Sequence, residues 1–130
     1  MDNFELKKRI YYHDTDCGGV VYYSNYLKFC EEARTEHLRS KGVDLNELAK
    51  KGILFAVGDV QIKYRAPAKY GEEIIISSRI EKVKPASLYF YQEIKRDETL
   101  LTECRTRLVL IDTNFKPVVM PKDVSASLGG

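Results

Sequence analysis

One long stretch at helical spacing is followed by strand after strand, and that order leaves few architectures open. Val60, Ile62 and Tyr64 alternate with Gln61, Lys63 and Arg65, and Pro67 and Gly71 mark the turn that follows. Ile74 to Val83 is the next strand, punctuated by Pro85. Leu88, Phe90, Gln92 and Ile94 oppose Tyr89, Tyr91, Glu93 and Lys95, and Arg96-Asp97-Glu98 makes a tight connection. Thr102 to Ile111 completes the meander. A period of two sends alternate side chains to opposite faces of a sheet. Upstream, Phe4 to Tyr12 reads as a first strand. Ser24 is the expected N-cap of a helix carrying Leu27, Cys30, Arg34, His37, Leu38 and Lys41 on its inner stripe and closed by Gly42. Asp44-Leu45-Asn46-Glu47 resembles a capping box for a short second helix ending at Gly52. Strand, long helix, then consecutive strands predict an α+β fold, an antiparallel sheet wrapped around one helix.

One helix cannot cover a sheet on both faces. Pairing two such sheets, or two edges, into a homodimer would bury the tyrosine-rich remainder, and a dimer of dimers also stays open. The 130 residues are expected to form a single domain, since no repeat or Gly/Ser linker divides them. The weakly apolar end, about residues 123–130, reads as a frayed tail.

Charge narrows the function. Twenty-one Lys and Arg against nineteen Asp and Glu leave +2, too balanced for a nucleic-acid footprint. No run approaches the ~20 apolar residues of a membrane span. Met1 to Leu6 carry acids and no apolar signal core, and the three cysteines sit at wide spacing without a CxxC pair. A cytoplasmic protein with reduced thiols is expected. Two histidines, His13 and His37, make a His-rich metal site improbable.

The informative segment runs from Tyr11 to Tyr26. It puts Asp16 beside Gly18-Gly19, in a loop that feeds a helix N-terminus. Free N–H groups there, with the positive end of the helix dipole, can stabilise an oxyanion. Asp16 can supply a nucleophile or a base that activates water. Hydrolysis of an activated acyl group needs little more, and a thioester suits because its thiol leaves without strong acid help. Local composition alone favours ordinary turn chemistry, because Asp side chains often cap nearby N–H groups.

The run Asp14-Thr15-Asp16-Cys17-Gly18-Gly19-Val20-Val21-Tyr22, continuing through Asn25-Tyr26 and Glu32-Ala33-Arg34, resembles the 4-hydroxybenzoyl-CoA thioesterase family, closest to its Tol-Pal-associated acyl-CoA thioesterase subgroup. Tyr64-Arg65-Ala66-Pro67-Ala68, Tyr70-Gly71-Glu72 and Lys84 to Leu88 extend the likeness, which covers about residues 6–112. The resemblance implies a hotdog fold and an acyl-CoA thioester hydrolase that uses no metal or organic cofactor. It implies Asp16 as the catalytic carboxylate and Asp14 as a turn-shaping residue. Gly19 falls where the family's backbone closely approaches the substrate. Tyr23 falls where a backbone N–H polarises the thioester carbonyl. Many members of the subgroup carry histidine at this last position. A neutral tyrosine cannot act as a base near pH 7, which leaves Tyr23 its N–H and a phenol donor. The resemblance also places CoA phosphate contacts in the hairpin of Lys82, Lys84 and Ser87, and sends Phe55 and Val57 toward a partner's site.

Other candidates weigh less. His37 is expected to be structural, and His13 a strand-end or substrate-adjacent side chain. Glu31, Glu32 and Glu36 are a fallback carboxylate set whose ordinary reading is a solvated face paired with Lys28, Arg34 or Arg39. Cys17 and Cys30 lack a partner at nucleophile spacing. Lys63 and Arg65 are either edge charges or anion contacts. Two competing functions remain: a hotdog dehydratase, and a non-catalytic acyl-CoA binder or scaffold. Asp16 discriminates them from the hydrolase.

Overall fold

A computed structural model describes residues 3–129. Strand β1 (Asn3–Arg9) leads through a single turn of 3-10 helix (Tyr12–Asp14) into helix α1 (Tyr23–Ser40) and a short α2 (Leu45–Lys50). Strands β2 (Leu54–Tyr64), β3 (Glu73–Lys84), β4 (Ser87–Arg96) and β5 (Thr99–Ile111) follow, and α3 (Lys122–Ser127) closes the chain. The strands form one antiparallel five-stranded sheet in the order β1-β3-β4-β5-β2. This is the expected α+β, hotdog arrangement. No helix among the described residues is long and apolar enough to cross a membrane.

The β4 alternation behaves as read: Leu88, Phe90, Gln92 and Ile94 are all buried. They face α1, whose inner stripe is Tyr26, Phe29, Cys30, Ala33, Arg34, His37 and Leu38. Leu27, expected on that stripe, is instead 38% exposed. Two polar residues of α1 are buried because the sheet satisfies them. Arg34 Nη1 donates to Gln92 Oε1 (3.2 Å), and His37 Nδ1 meets Ser78 Oγ (2.9 Å). Burial lowers the affinity of the Arg34 guanidinium for its proton.

Three boundaries differ from the sequence reading. The first strand stops at Arg9, and the helix begins one residue before Ser24, with Tyr22 as its N-cap. The expected tail is the helix α3, because Val124 and Leu128 sit one turn apart and both bury into the cluster of Leu38, Leu88, Phe90 and Leu110. Its last residue, Gly130, lies outside the described residues. The closures of α1 and α2 are as read: Gly42 and Gly52 take positive φ, and the Asp44 carboxylate accepts from the Asn46 and Glu47 N–H groups.

The core divides in two along the sheet. Ile10, Tyr26, Phe29, Ile74 and Leu101 fill the end nearest the Asp16 loop. Leu38, Phe90, Leu110 and Met120 fill the end nearest the β3–β4 turn and α3.

Candidate active site

The loop from Tyr11 to Tyr22 is anchored by Asp14. Its carboxylate is buried and accepts the Tyr11 N–H (2.9 Å). Its carbonyl accepts both the Tyr22 N–H (3.2 Å) and the Asn25 amide (2.8 Å). The Asn25 side chain thereby ties the first turn of α1 to the loop eleven residues upstream. Beyond Asp14 the loop is pinned to the segment before β3, where Val21 N–H donates to Ala68 and Tyr70 N–H donates to Gly19. Gly19 sits at φ +79°, in the left-handed region, where a Cβ would meet no atom within 4 Å. The backbone angle is what requires glycine there.

Asp16 is exposed on this loop. Its Oδ1 accepts the Gly18 N–H (2.8 Å), and among the described residues Oδ2 has no protein donor. Tyr22 offers no side-chain cap to α1, so the N–H groups of Tyr23 and Ser24 have no acceptor among the described residues. Asp16 and Tyr23 line one cleft of about 460 Å³, closed on its far side by Tyr64, Arg65, Ala66 and Pro67. Asp16 is the single carboxylate on that lining.

Tyrosines make the other walls. The Tyr64 ring lies 4.9 Å from that of Tyr23 and 5.5 Å from that of Tyr26, and its hydroxyl donates to the Tyr23 carbonyl (3.3 Å). Tyr26 accepts the Ala68 N–H (2.9 Å). Burial pushes the Tyr26 and Tyr64 phenols above their ordinary range, so both stay protonated near neutrality. Arg65 points its guanidinium at Glu103 (Nε to Oε2, 2.8 Å), which holds that carboxyl below its ordinary value. The chemistry this arrangement can perform is addition to a polarised carbonyl: a carboxylate-bearing residue, Asp16, and the first residue of α1, Tyr23, line the same cleft.

The remaining candidates lie elsewhere. Phe55 pairs with Leu110 of β5 while Tyr64 pairs with Thr102, so eight β5 positions, about 27 Å at ~3.4 Å per residue, separate Phe55 from the cleft in its own chain. Val57 is 56% exposed on β2, which pairs only with β5 and is an edge of the sheet. Ser87 pairs with Val109, which pairs with Ala56, so the Lys82–Lys84–Ser87 hairpin is also at the far end. Lys82 and Lys84 place their ammonium groups 5.3 and 5.6 Å from the Tyr89 ring centre.

His13 is exposed and stacked on Tyr11 at 6.0 Å, and it is not on the cleft lining. His37 is a core residue stacked on Phe4 at 5.4 Å. Glu32 pairs with Lys8 (3.2 Å), Glu36 with Arg39 (3.6 Å), and Glu31 accepts from Thr35 (3.2 Å), the solvated-face reading. Cys17 is exposed, while Cys30 and Cys104 are buried. No group of three His, Cys, Asp or Glu side chains among the described residues is placed to hold a metal ion. Sequence reasoning missed Tyr64 as a cleft residue; its signal was the helix-distant Tyr-Arg-Ala-Pro run, which looked like a strand end.

Comparison with known proteins bears on this geometry. Residues 11–128 match the model of a family described as the thioesterase-like superfamily. The chain is similar to an acyl-CoA thioesterase, YbgC, of Haemophilus influenzae, 36% identical over 98% of this chain and 96% of that one. It is similar to an acyl-CoA thioester hydrolase of Escherichia coli, 38% identical over 95% of this chain and 93% of the other. A crystal structure of a probable thioesterase from Bartonella henselae superposes with a TM-score of 0.87 at 31% identity, covering 92% of this chain and all of that one.

Proposed function

The chain belongs to the thioesterase-like superfamily, and from that premise we propose that Asp16 and the first N–H of α1 carry out the hydrolysis of acyl-CoA. The chain is an acyl-CoA thioester hydrolase, with similarity to such hydrolases over nearly its whole length. The observation that carries the residue assignment is that Asp16, with one unengaged carboxylate oxygen, and Tyr23, the first residue of an uncapped α1, line one cleft.

In the proposed step, a water molecule gives its proton to Asp16 Oδ2 as its oxygen bonds to the thioester carbonyl carbon. The carbonyl electron pair moves onto oxygen, which the Tyr23 N–H and the helix dipole hold. Collapse breaks the C–S bond, and the departing thiolate takes the proton from Asp16. A carboxylic acid and CoA result, and this route calls on no metal or organic cofactor. Asp16 attacking directly would give a mixed anhydride that water opens. A single turnover in ¹⁸O-water separates the two routes, because only the anhydride route can leave label in Asp16. A dehydratase would need a histidine at the cleft, and neither histidine lines it.

A homodimer completes the site in this reading. Strand β2 is an edge of eleven residues with Val57, Val60 and Tyr64 exposed. An unpaired edge of that length invites a second strand. Antiparallel pairing of two β2 edges would bring the partner's Phe55 end beside Tyr64 and the Asp16 cleft. It would also bring the partner's Lys82–Lys84–Ser87 hairpin toward the same end. A dimer of dimers is compatible with it. A cytoplasmic setting fits the exposed, unpaired Cys17.

A free-thiol assay across an acyl-CoA panel, with sedimentation of the same sample, tests this. Release of CoA above that of the Asp16→Asn variant, from a dimer or larger species, is expected. No release from any member of the panel, or turnover by a strict monomer, contradicts it.

A further inference from the structure

The hydrolytic chemistry leaves two buried thiols unused. Cys30 of α1 and Cys104 of β5 are 0% and 2% exposed and belong to the same part of the core. Gln92 bridges them: its amide donates to the Cys30 carbonyl (2.9 Å), and it is the cross-strand partner of Cys104. We propose that Cys30 and Cys104 are an oxidisable dithiol, and that a disulfide formed between them by a peroxide draws α1 onto β5 and displaces the cleft wall. The disulfide stands apart from the thioesterase reading, whereas its effect on rate rests on it.

The polar surroundings support this. Cys104 Sγ lies 3.5 Å from Thr106 Oγ1, which is itself 3.4 Å from Arg34 Nη1. Arg34 is buried, its other acceptor is the neutral Gln92 side chain, and no carboxylate pairs with it among the described residues. A buried cation held only by neutral groups is costly, and a Cys104 thiolate would give it an anion. The two thiols are also unequal. Their mutual hydrogen bond, with burial, pushes Cys30 up. The same bond, with the Thr106 hydroxyl and the Arg34 charge, brings Cys104 below its ordinary value despite burial. One acidic thiol beside one that keeps its proton is the arrangement in which the first attacks an oxidant and the second resolves the product.

The position links the pair to the cleft. Cys30 lies one helical turn after Tyr26, and Cys104 pairs with Ile62, two residues before Tyr64. Tyr26 and Tyr64 hold their rings 5.5 Å apart and both line the cleft. Drawing the two sulfurs into a bond therefore moves both tyrosines.

The chemistry balances with hydrogen peroxide as the oxidant. The Cys104 thiolate attacks one peroxide oxygen, the O–O bond breaks, and the departing hydroxide takes a proton to become water. The resulting sulfenic acid is attacked by the Cys30 sulfur, which gives up its proton as the S–O bond breaks and a second water leaves. Two thiols and one peroxide give one disulfide and two waters. Burial selects the oxidant, since a local opening of α1 that admits a two-oxygen molecule excludes a bulky reagent.

The test uses the full chain with Cys17→Ser, which leaves only the buried pair. Folded protein is treated with hydrogen peroxide, quenched with catalase, unfolded and alkylated with N-ethylmaleimide. Its intact mass is expected to show a chain lighter by two hydrogens and free of maleimide, and dithiothreitol should restore two maleimide sites. On the same samples, kcat/KM for acyl-CoA is expected to fall at least about threefold on oxidation and to recover on reduction, as a small displacement of the cleft wall implies. Cys104→Ser in this background cannot close the disulfide and is expected to keep its untreated rate in peroxide. Two maleimides on the treated chain, or oxidation that stops at added oxygen, overturns the dithiol. An unchanged rate in fully oxidised protein, or an equal fall in Cys104→Ser, overturns its link to the cleft. If the reduced chain hydrolyses no acyl-CoA, the thioesterase reading fails, and the mass measurement still decides the disulfide.

Discussion

Adding one methyl group to each glycine of the Gly18-Gly19 pair separates the loop's folding from its chemistry. Gly19 stands at φ +79°, and a Cβ there would touch nothing within 4 Å. The penalty of Gly19→Ala is then backbone conformation alone, about 1–2 kcal/mol for an L-residue in the left-handed region. Gly18 is the reverse case. Its φ lies outside that region, but an added Cβ would sit 3.3 Å from Asp16 Oδ1. That contact coincides with the Gly18 N–H bond to the same oxygen (2.8 Å), so the carboxylate must shift by a few tenths of an ångström. Displacements on the ångström scale cost up to roughly a hundredfold in rate, so a shift of this size is expected to cost on the order of tenfold in kcat. Urea denaturation and thioester kinetics on the two variants read both numbers. Gly18→Ala should keep its stability within about 0.5 kcal/mol and lose rate, whereas Gly19→Ala should lose stability. Equal destabilisation by the two, or full activity in Gly18→Ala, would refute the placement of Asp16 over Gly18.

Tyr64→Phe removes the hydroxyl that donates to the Tyr23 carbonyl (3.3 Å) while keeping the ring contacts, so kcat is expected to fall two- to fivefold, about the worth of one neutral hydrogen bond, with little change in unfolding midpoint. Cys17 is exposed and Cys30 and Cys104 are buried, so an aromatic disulfide reagent should titrate one thiol in native protein and three in denaturant; three fast thiols in the native state would contradict that burial. Arg65 holds the Glu103 carboxyl below its ordinary value of 4.5. A depressed folded-state pKa stabilises the fold above the unfolded value, and that stabilisation is lost as pH falls through the lower folded value. Arg65→Ala should therefore return the NMR titration midpoint of Glu103 toward 4.5 and flatten the acid limb of the stability profile, and an unmoved midpoint would remove the ion pair from the account.

Local signals in the sequence were legible wherever neighbours in the chain determined the outcome. The two-residue period of β4 told its faces apart, and Asp44 with Gly42 and Gly52 marked helix ends that the backbone honours. The loop's shape was legible too, since Asp14 ties down the turn while Asp16 stays exposed. What escaped depends on partners distant in sequence. Ser24 looked like the cap of α1, but Asn25 reaches back to Asp14 and starts the helix earlier. Arg34 sits in the core because Gln92 and Thr106 receive it, fifty-eight and seventy-two residues away. The segment Lys122–Ser127 has weak apolar content, and two residues of that region, Val124 and Leu128, suffice to dock it once Phe90 and Leu110 are in place. No local pattern could state that β1 would pair with β3, or that the hairpin lysines would lie at the opposite end of the sheet from Asp16.

The central claim is that the Asp16 carboxylate performs the chemistry. The most direct measurement is kcat for acyl-CoA hydrolysis by Asp16→Asn, on protein whose circular dichroism, unfolding midpoint and oligomeric state match wild type. The account predicts a loss of about 10²–10⁴ in kcat with KM little changed, the range expected for a removed general base. A variant that folds, assembles and turns over within about threefold of wild type would contradict it.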